Sequence, residues 1–226
     1  MRIFSNFGDA LDEIRRDLAE MGIEIHPQTM QDKYVADNPD YITKELQNYI
    51  YTVVDPLASM SKLHPSQPWA TEEFKERINR RRENPGFAYN FREEVWEEFL
   101  HDGKFAYTYG ERIGDQVERI IQEIKVHPDS RQLFLSIWNP EIDNDRMGSD
   151  KRVPCSLGYL FQIRGGKLNV TYFMRSCDYA THMQNDMYLA VKLADYIADQ
   201  TDYEVGNFTH FIGSLHIYQK DIQGVF

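Results

Sequence analysis

Cysteine is scarce. The 226-residue chain holds two, Cys155 and Cys177, and neither sits in a spacing that suits a metal ion. A disulfide-rich framework or a zinc module is thereby excluded, and two free thiols fit a reducing cytoplasm. Long apolar runs are also missing. Nothing approaches the ~20 apolar residues a membrane span needs, and Met1-Arg2-Ile3-Phe4-Ser5-Asn6 has no apolar signal core. Positive charge is in short supply: 25 Lys and Arg stand against 36 Asp and Glu, a net charge of −11. Such a surface repels nucleic acid polymers. It leaves open a small anionic ligand held by a few converging arginines. There is no internal repeat and no low-complexity segment. What is present, 42% hydrophobic and 27% charged residues, reads as one soluble globular domain over residues 1–226.

Periodicity gives the elements. Leu11, Ile14, Leu18 and Met21 share one helical face, with Gly22 placed to end that helix. Ile42, Leu46, Tyr49, Ile50 and Val53 repeat the spacing and predict a second helix over 40–54. Residues 56–86, with Pro56, Pro65, Pro68, Pro85 and a basic cluster from Arg77 to Arg82, read as a loop-rich surface insertion with a short helix near 71–82. Helices follow over 93–100 and 115–125. Strands follow over 133–138, 156–164 and 168–175, the last two joined at Gly165-Gly166. Residues 187–200 form a helix, and 207–212 and 215–218 two short strands. Hairpins mixed with helices predict an α+β fold.

Three runs carry the chemistry: Arg152-Val153-Pro154-Cys155-Ser156, then Met174-Arg175-Ser176-Cys177-Asp178, then Gln184-Asn185-Asp186. Taken alone, Cys155 reads as a core thiol. A cation lowers a thiol pKa and makes it a nucleophile, however, and Arg175 lies one short hairpin away. Glu45 alone reads as a solvated helix position, and His216 alone as a hydrogen-bonded core histidine.

In order and spacing these runs resemble thymidylate synthases and the related pyrimidine nucleotide hydroxymethylases. The resemblance rests on Pro154-Cys155, on Arg175-Ser176-Cys177-Asp178, on Asp186 eight residues beyond Asp178, and on His216-Ile217-Tyr218. Pro128-Asp129-Ser130-Arg131, Ser136-Ile137-Trp138-Asn139, Tyr109-Gly110 and Lys44-Glu45-Leu46 extend it over roughly residues 40–222. It implies a mixed sheet flanked by helices and a homodimer formed by sheet-to-sheet packing. It also implies a catalytic Cys155 that attacks pyrimidine C6, and C5 then takes a one-carbon unit from 5,10-methylenetetrahydrofolate or a related reduced pterin. Glu45, on a helix, would shuttle protons, and Tyr109 would stand near the nucleophile. Arg175, Ser176 and the partner chain's copy of Arg131 would hold the phosphate, with His216 and Tyr218 on the deoxyribose and Asp178 on the pterin.

Asp186 departs from the family's asparagine. Uracil presents an N3–H donor and an O4 acceptor, which an amide complements. Cytosine presents the reverse, and a carboxylate that accepts from its amino group repels O4 of uracil. Asp186 therefore points to dCMP, as in the deoxycytidylate-directed members. The alternative is that Asn185 turns in to read the base while Asp186 caps the following helix. Ser156 replaces a histidine, Gln132 a second arginine, and His182 a glycine. The chain ends at Phe226, eight residues past Tyr218, which predicts no C-terminal lid and favours water addition over hydride transfer. The reading is dCMP 5-hydroxymethylation. The alternatives are thymidylate synthesis on dUMP, 5-methylation of dCMP, or a non-catalytic nucleotide-binding paralogue.

Overall fold

A computed structural model of the chain describes residues 2–31, 33–79, 82–147 and 152–226; Arg80 and Arg81 of the basic cluster lie outside them. The chain opens with β1 (Arg2–Phe4), α1 (Phe7–Met21) and β2 (Ile23–Ile25), then a small hairpin of β3 (Thr29–Met30) and β4 (Lys33–Tyr34). Next come β5 (Thr43–Val53), α2 (Trp69–Ile78), α3 (Glu93–Trp96), α4 (Tyr109–Ile113), α5 (Gln116–Val126), β6 (Phe134–Ser136) and α6 (Pro140–Arg146). The last third holds β7 (Ser156–Arg164), β8 (Lys167–Asp178), α7 (Met183–Asp199), β9 (Glu204–Tyr218) and α8 (Gln219–Val225).

Seven strands form one sheet in the order β1-β5-β9-β8-β7-β6, with β2 also on β5. β1 with β5 and β8 with β9 run parallel; the other neighbours run antiparallel. The sheet is mixed and the fold is α+β, as the sequence predicts. Period-two alternation decides which side is covered. Tyr159 and Phe161 of β7, Val170 and Tyr172 of β8, and Phe208 and Ile212 of β9 are buried under Ile14 and Leu18 of α1, Ile120 and Ile124 of α5, and Val191 and Leu193 of α7. The residues between them point the other way. On that face Phe134, Phe173 and Phe211 make a row of tilted ring contacts at 6.2 and 6.1 Å and stay only partly buried.

Some expectations fail in instructive ways. Residues 43–53 are a strand. The helical spacing of Ile42, Leu46, Tyr49 and Val53 loses to β-branched and aromatic side chains and to a ladder with β9 running from Thr43↔Tyr218 to Val53↔Phe208. The two short strands expected at 207–212 and 215–218 are one continuous strand. Gly213 does not break it; a Cβ there would meet the carbonyl oxygen of Arg175 at 2.8 Å, so glycine permits close approach to β8. The 93–100 helix is a single α-turn continued as a 3-10 turn over Glu97–Phe99. The 56–86 stretch is loop-rich, but it is more than a surface insertion: Trp69, Ala70 and Arg77 of α2 are buried.

Candidate active site

A cavity of about 440 Å³ opens where β5, β8 and β9 meet α2, the Glu93–Phe99 turns and the start of α7. That volume falls in the range of small-molecule sites. Cys155, Glu45, Asp186, Tyr109, Arg175, Ser176, Asn185, His216, Tyr218 and Asp178 all line it. Arg131 does not; it is exposed in the turn before β6.

Cys155 immediately precedes β7, and the β7–β8 hairpin brings Arg175 beside it. The Arg175 backbone N–H donates to the Cys155 carbonyl at 2.9 Å. Its guanidinium donates to the Pro154 carbonyl at 2.9 Å and the Val153 carbonyl at 3.2 Å, with Nη2 at 3.8 Å from Cys155 Sγ. One side chain thus fixes the loop that carries the thiol and places a cation against the sulfur. Cys177 is the contrast. It is buried, and burial followed by the fields of Asp186 and Asp178 pushes its thiol well above the ordinary range.

Asn185 and Asp186 differ in their commitments. Asn185 Oδ1 accepts from the Ser66 backbone N–H at 2.7 Å and its Nδ2 donates to the Thr181 carbonyl at 3.2 Å. Its amide is engaged in the scaffold. Asp186 sits in the first turn of α7, with His182 as N-cap, and its carboxyl faces the cavity lining. Burial raises its pKa to about 7; Arg77 and Arg92 pull it down, while Glu73 and Asp178 push it up.

Across the cavity, Glu45 lies on a strand, not on a helix, paired with His216 of β9. Ser214 Oγ donates to Glu45 Oε2 at 2.5 Å. Burial lowers the His216 pKa and keeps the ring neutral, edge-on to Tyr218 at 5.1 Å. Asp178 Oδ1 accepts from the backbone N–H groups of Ala180 at 3.0 Å and Thr181 at 3.4 Å, shaping the turn into α7.

Beneath the cavity lies a buried polar floor. Ser156 Oγ donates to the Tyr109 hydroxyl at 3.3 Å and hydrogen-bonds the Tyr172 hydroxyl. Arg77 Nη1 donates to the Tyr159 hydroxyl at 3.4 Å, and its guanidinium lies 4.2 Å from the centre of the Tyr109 ring. Arg77 Nε donates to Glu73 Oε1 at 2.8 Å. Burial opposes the Arg77 charge, but Glu73 and the surrounding phenols outweigh it and hold the group protonated. On the outer wall the His182 ring tilts against Trp96 at 5.5 Å, and burial drops the His182 pKa to about 4. Lys33 pairs with Glu98 and lies 5.1 Å over the Phe99 ring.

The sequence model of the family described as thymidylate synthase matches residues 41–226. The chain belongs to the thymidylate synthase family. It is 32% identical over 220 residues to a protein of Methanothermobacter marburgensis, covering 92% of both chains, and 29% identical over 201 residues to one of Methanocaldococcus jannaschii, covering 86% of this chain and 85% of that one. Both carry the name "Putative thymidylate synthase". In fold it is similar to the thermostable thymidylate synthase A of Bacillus subtilis, with a TM-score of 0.75, 21% identity, and coverage of 97% of this chain and 82% of that one.

Enzymes of the thymidylate synthase family take their carbon from methylenetetrahydrofolate. The residues present fit a planar heterocycle. Trp96 and His182 line the cavity side by side, and the buried indole N–H of Trp96 has no partner among the described residues. Among those residues no group of His, Cys, Asp and Glu suits a metal, and no helix is long and apolar enough to cross a membrane. Sequence reasoning missed Glu73, Glu76, Arg77 and Gln31. Glu73 and Arg77 carried a signal, an acid and a base four residues apart on a predicted helix. Gln31 carried none.

Proposed function

We propose that the protein transfers a one-carbon unit to C5 of deoxycytidine monophosphate and leaves it as a hydroxymethyl group. The observation that carries the base assignment is Asp186, half-buried at the cavity with its neighbour Asn185 committed to Ser66 and Thr181. Ionised, its carboxylate accepts from the exocyclic amino group of cytosine and repels O4 of uracil. Protonated, it donates to cytosine N3. A group that titrates near pH 7 can hold that proton and pass it to N3 as the ring gains electron density.

The Cys155 sulfur, with Arg175 beside it, adds as thiolate to C6 and forms a C–S bond. The displaced electron pair makes C5 nucleophilic. The bound folate supplies carbon at the formaldehyde oxidation level. Once C5 carries that carbon, loss of the C5 proton would expel the carrier's nitrogen and leave an exocyclic methylene. Water would add at that methylene, and the electron pair returned to C5 would expel the Cys155 sulfur from C6 and restore the ring. Glu73 and Glu45 line the same space and are the bases placed to hold that water. Glu73 has the stronger claim because it shares an electrostatic field with Asp186. Arg175 and Ser176 would meet the phosphate, His216 and Tyr218 the sugar, and Asp178 the pterin side. Arg131, exposed and outside the cavity of its own chain, would serve a partner's site. The half-exposed Phe134-Phe173-Phe211 row supports a homodimer packed through that face.

A second reading, thymidylate synthesis on dUMP, is favoured by the names of the two relatives. Incubation with labelled methylenetetrahydrofolate and either dCMP or dUMP, with the product identified by mass, separates the two. The expected product is 5-hydroxymethyl-dCMP. Turnover of dUMP alone overturns the base assignment, and 5-methyl-dCMP overturns only the fate of the carbon.

A further inference from the structure

The loop between β3 and β4 delivers a side chain to the reactive sulfur. Gln31 takes a left-handed backbone conformation, φ 58°, at the tip of this two-stranded hairpin. Its side chain turns inward to line the cavity. Nε2 lies 3.7 Å from Cys155 Sγ, within reach of an N–H···S hydrogen bond, and Nη2 of Arg175 lies 3.8 Å from the same sulfur. The other end of the amide, Oε1, is buried and has no partner among the described residues. Burying an acceptor without a donor is costly. The hairpin that holds it there is anchored at Val35, whose N–H donates to the Gln28 carbonyl at 2.9 Å, and at Lys33, which pairs with Glu98.

We propose that Gln31 is a second donor to the Cys155 thiolate, and that its free Oε1 receives a hydrogen from the bound nucleotide, so that ligand binding locks the amide with its N–H toward the sulfur. Arg175 supplies charge but is pinned by two backbone carbonyls. Gln31 is neutral, carried on a separate hairpin, and engaged by the described residues on the sulfur side alone. Among the described residues, the charged and titratable groups around the thiol are Arg175 and Cys177 from β8, Tyr107 and Tyr109 from the segment entering α4, and Tyr218 from β9. None of them lies on the β3–β4 hairpin. Exchanging Gln31 therefore changes the donor and leaves that set intact.

The inference rests on Cys155 being the nucleophile, and the test reads the thiol directly. Alkylation by iodoacetamide is followed by intact mass between pH 6 and 9 without nucleotide, with Cys155→Ser as the control for labelling at Cys177. Gln31→Asn keeps a residue that tolerates positive φ but withdraws the amide by one methylene. Gln31→Glu keeps the length and replaces the donor with an acceptor of negative charge. The wild type should react fastest at pH 7, Gln31→Asn roughly three- to tenfold more slowly, and Gln31→Glu more slowly again. Saturating dCMP should protect the wild-type thiol at lower concentration than it protects Gln31→Asn. Equal or faster alkylation in both variants, with melting temperatures unchanged, overturns the proposal. Slowed alkylation in a protein that turns over no pyrimidine nucleotide would instead leave Gln31 in place and remove the proposed function.

Discussion

The two walls of the cavity are built by opposite means. One is the ends of β5, β7, β8 and β9, where backbone ladders set the positions of Glu45, Cys155, Arg175, Ser176 and His216. The other is α2 and the turns up to α4, where side chains do the joining. There Glu76 Oε1 accepts from the Ala88 N–H at 2.7 Å, Asn84 Oδ1 accepts from the Phe105 N–H at 2.8 Å, and Glu111 closes a capping box with Thr108. A ladder survives the loss of any one side chain; a wall of side-chain contacts does not. Nucleophile and cation sit on the first wall. Of the groups that set the field at Asp186, Glu73, Arg77 and Arg92 sit on the second, and Asp178 alone on the first.

That contrast can be broken experimentally. The largest effect is expected at Arg77. Arg77→Met leaves Glu73 without its partner in a buried setting and removes the donor to Tyr159, and should cost about 3–5 kcal/mol in denaturant unfolding. A loss under ~1 kcal/mol would mean the second wall is not held by its side chains.

Asp186→Asn should act in the opposite sense. The folded carboxyl titrates near 7 against an ordinary 3.8, so the folded state resists ionisation more than the unfolded one. Stability is therefore lost as pH rises from about 4 to 7, on the order of 4 kcal/mol for this group, and the penalty is absent below pH 4. The asparagine variant should melt above the wild type at pH 8, with the gap closing by pH 4. A pH-independent difference would show that Asp186 is ionised throughout. The same variant should move preference from dCMP toward dUMP by about 100-fold or more, read as a ratio of kcat/KM.

Gly213→Ala tests the ladder wall. A Cβ 2.8 Å from the Arg175 carbonyl oxygen forces β8 and β9 apart, for an expected cost of about 1–3 kcal/mol. Activity should fall further than stability, because the displaced strand carries Arg175. The smallest contrast sets Glu73→Gln against Glu45→Gln. Turnover should fall by about 10²-fold or more for the first and less for the second, which is anchored by Ser214 away from Asp186. The reverse order in kcat would return the role to Glu45.

What the sequence made legible follows the same division. The β7–β8 hairpin, α5, α7 and the Cys155–Arg175 pairing were readable because alternation, helical periodicity and a Gly-Gly turn all operate within about 20 residues. Glu45 was placed on the wrong kind of element because its apolar neighbours satisfy both periods, and only pairing with β9, more than 160 positions downstream, decides between them. Glu73 and Arg77 were hidden for a similar reason. A proline-rich stretch reads as surface until α7 and α4 are packed against it. Gln31 had no pattern to give it away, since a hairpin two residues deep on each side falls below any period.

The Gly165-Gly166 turn has a consequence for how the chemistry is inherited. Both glycines sit at positive φ, 59° and 75°, with open space around them, and the strands leaving them run in register from Arg164↔Lys167 to Gly158↔Phe173, then shift at a bulge before Ser156↔Met174. Cys155 and Arg175 are the ends of this ruler, roughly 30 Å from the turn at strand spacing. Adding one residue at the tip would present Ser176 or Met174 to the sulfur and send Arg175 to the opposite face. A change at the most permissive-looking bend of the surface would thus be silent locally and felt at the thiol, as the calibration of an instrument is lost when its zero is moved.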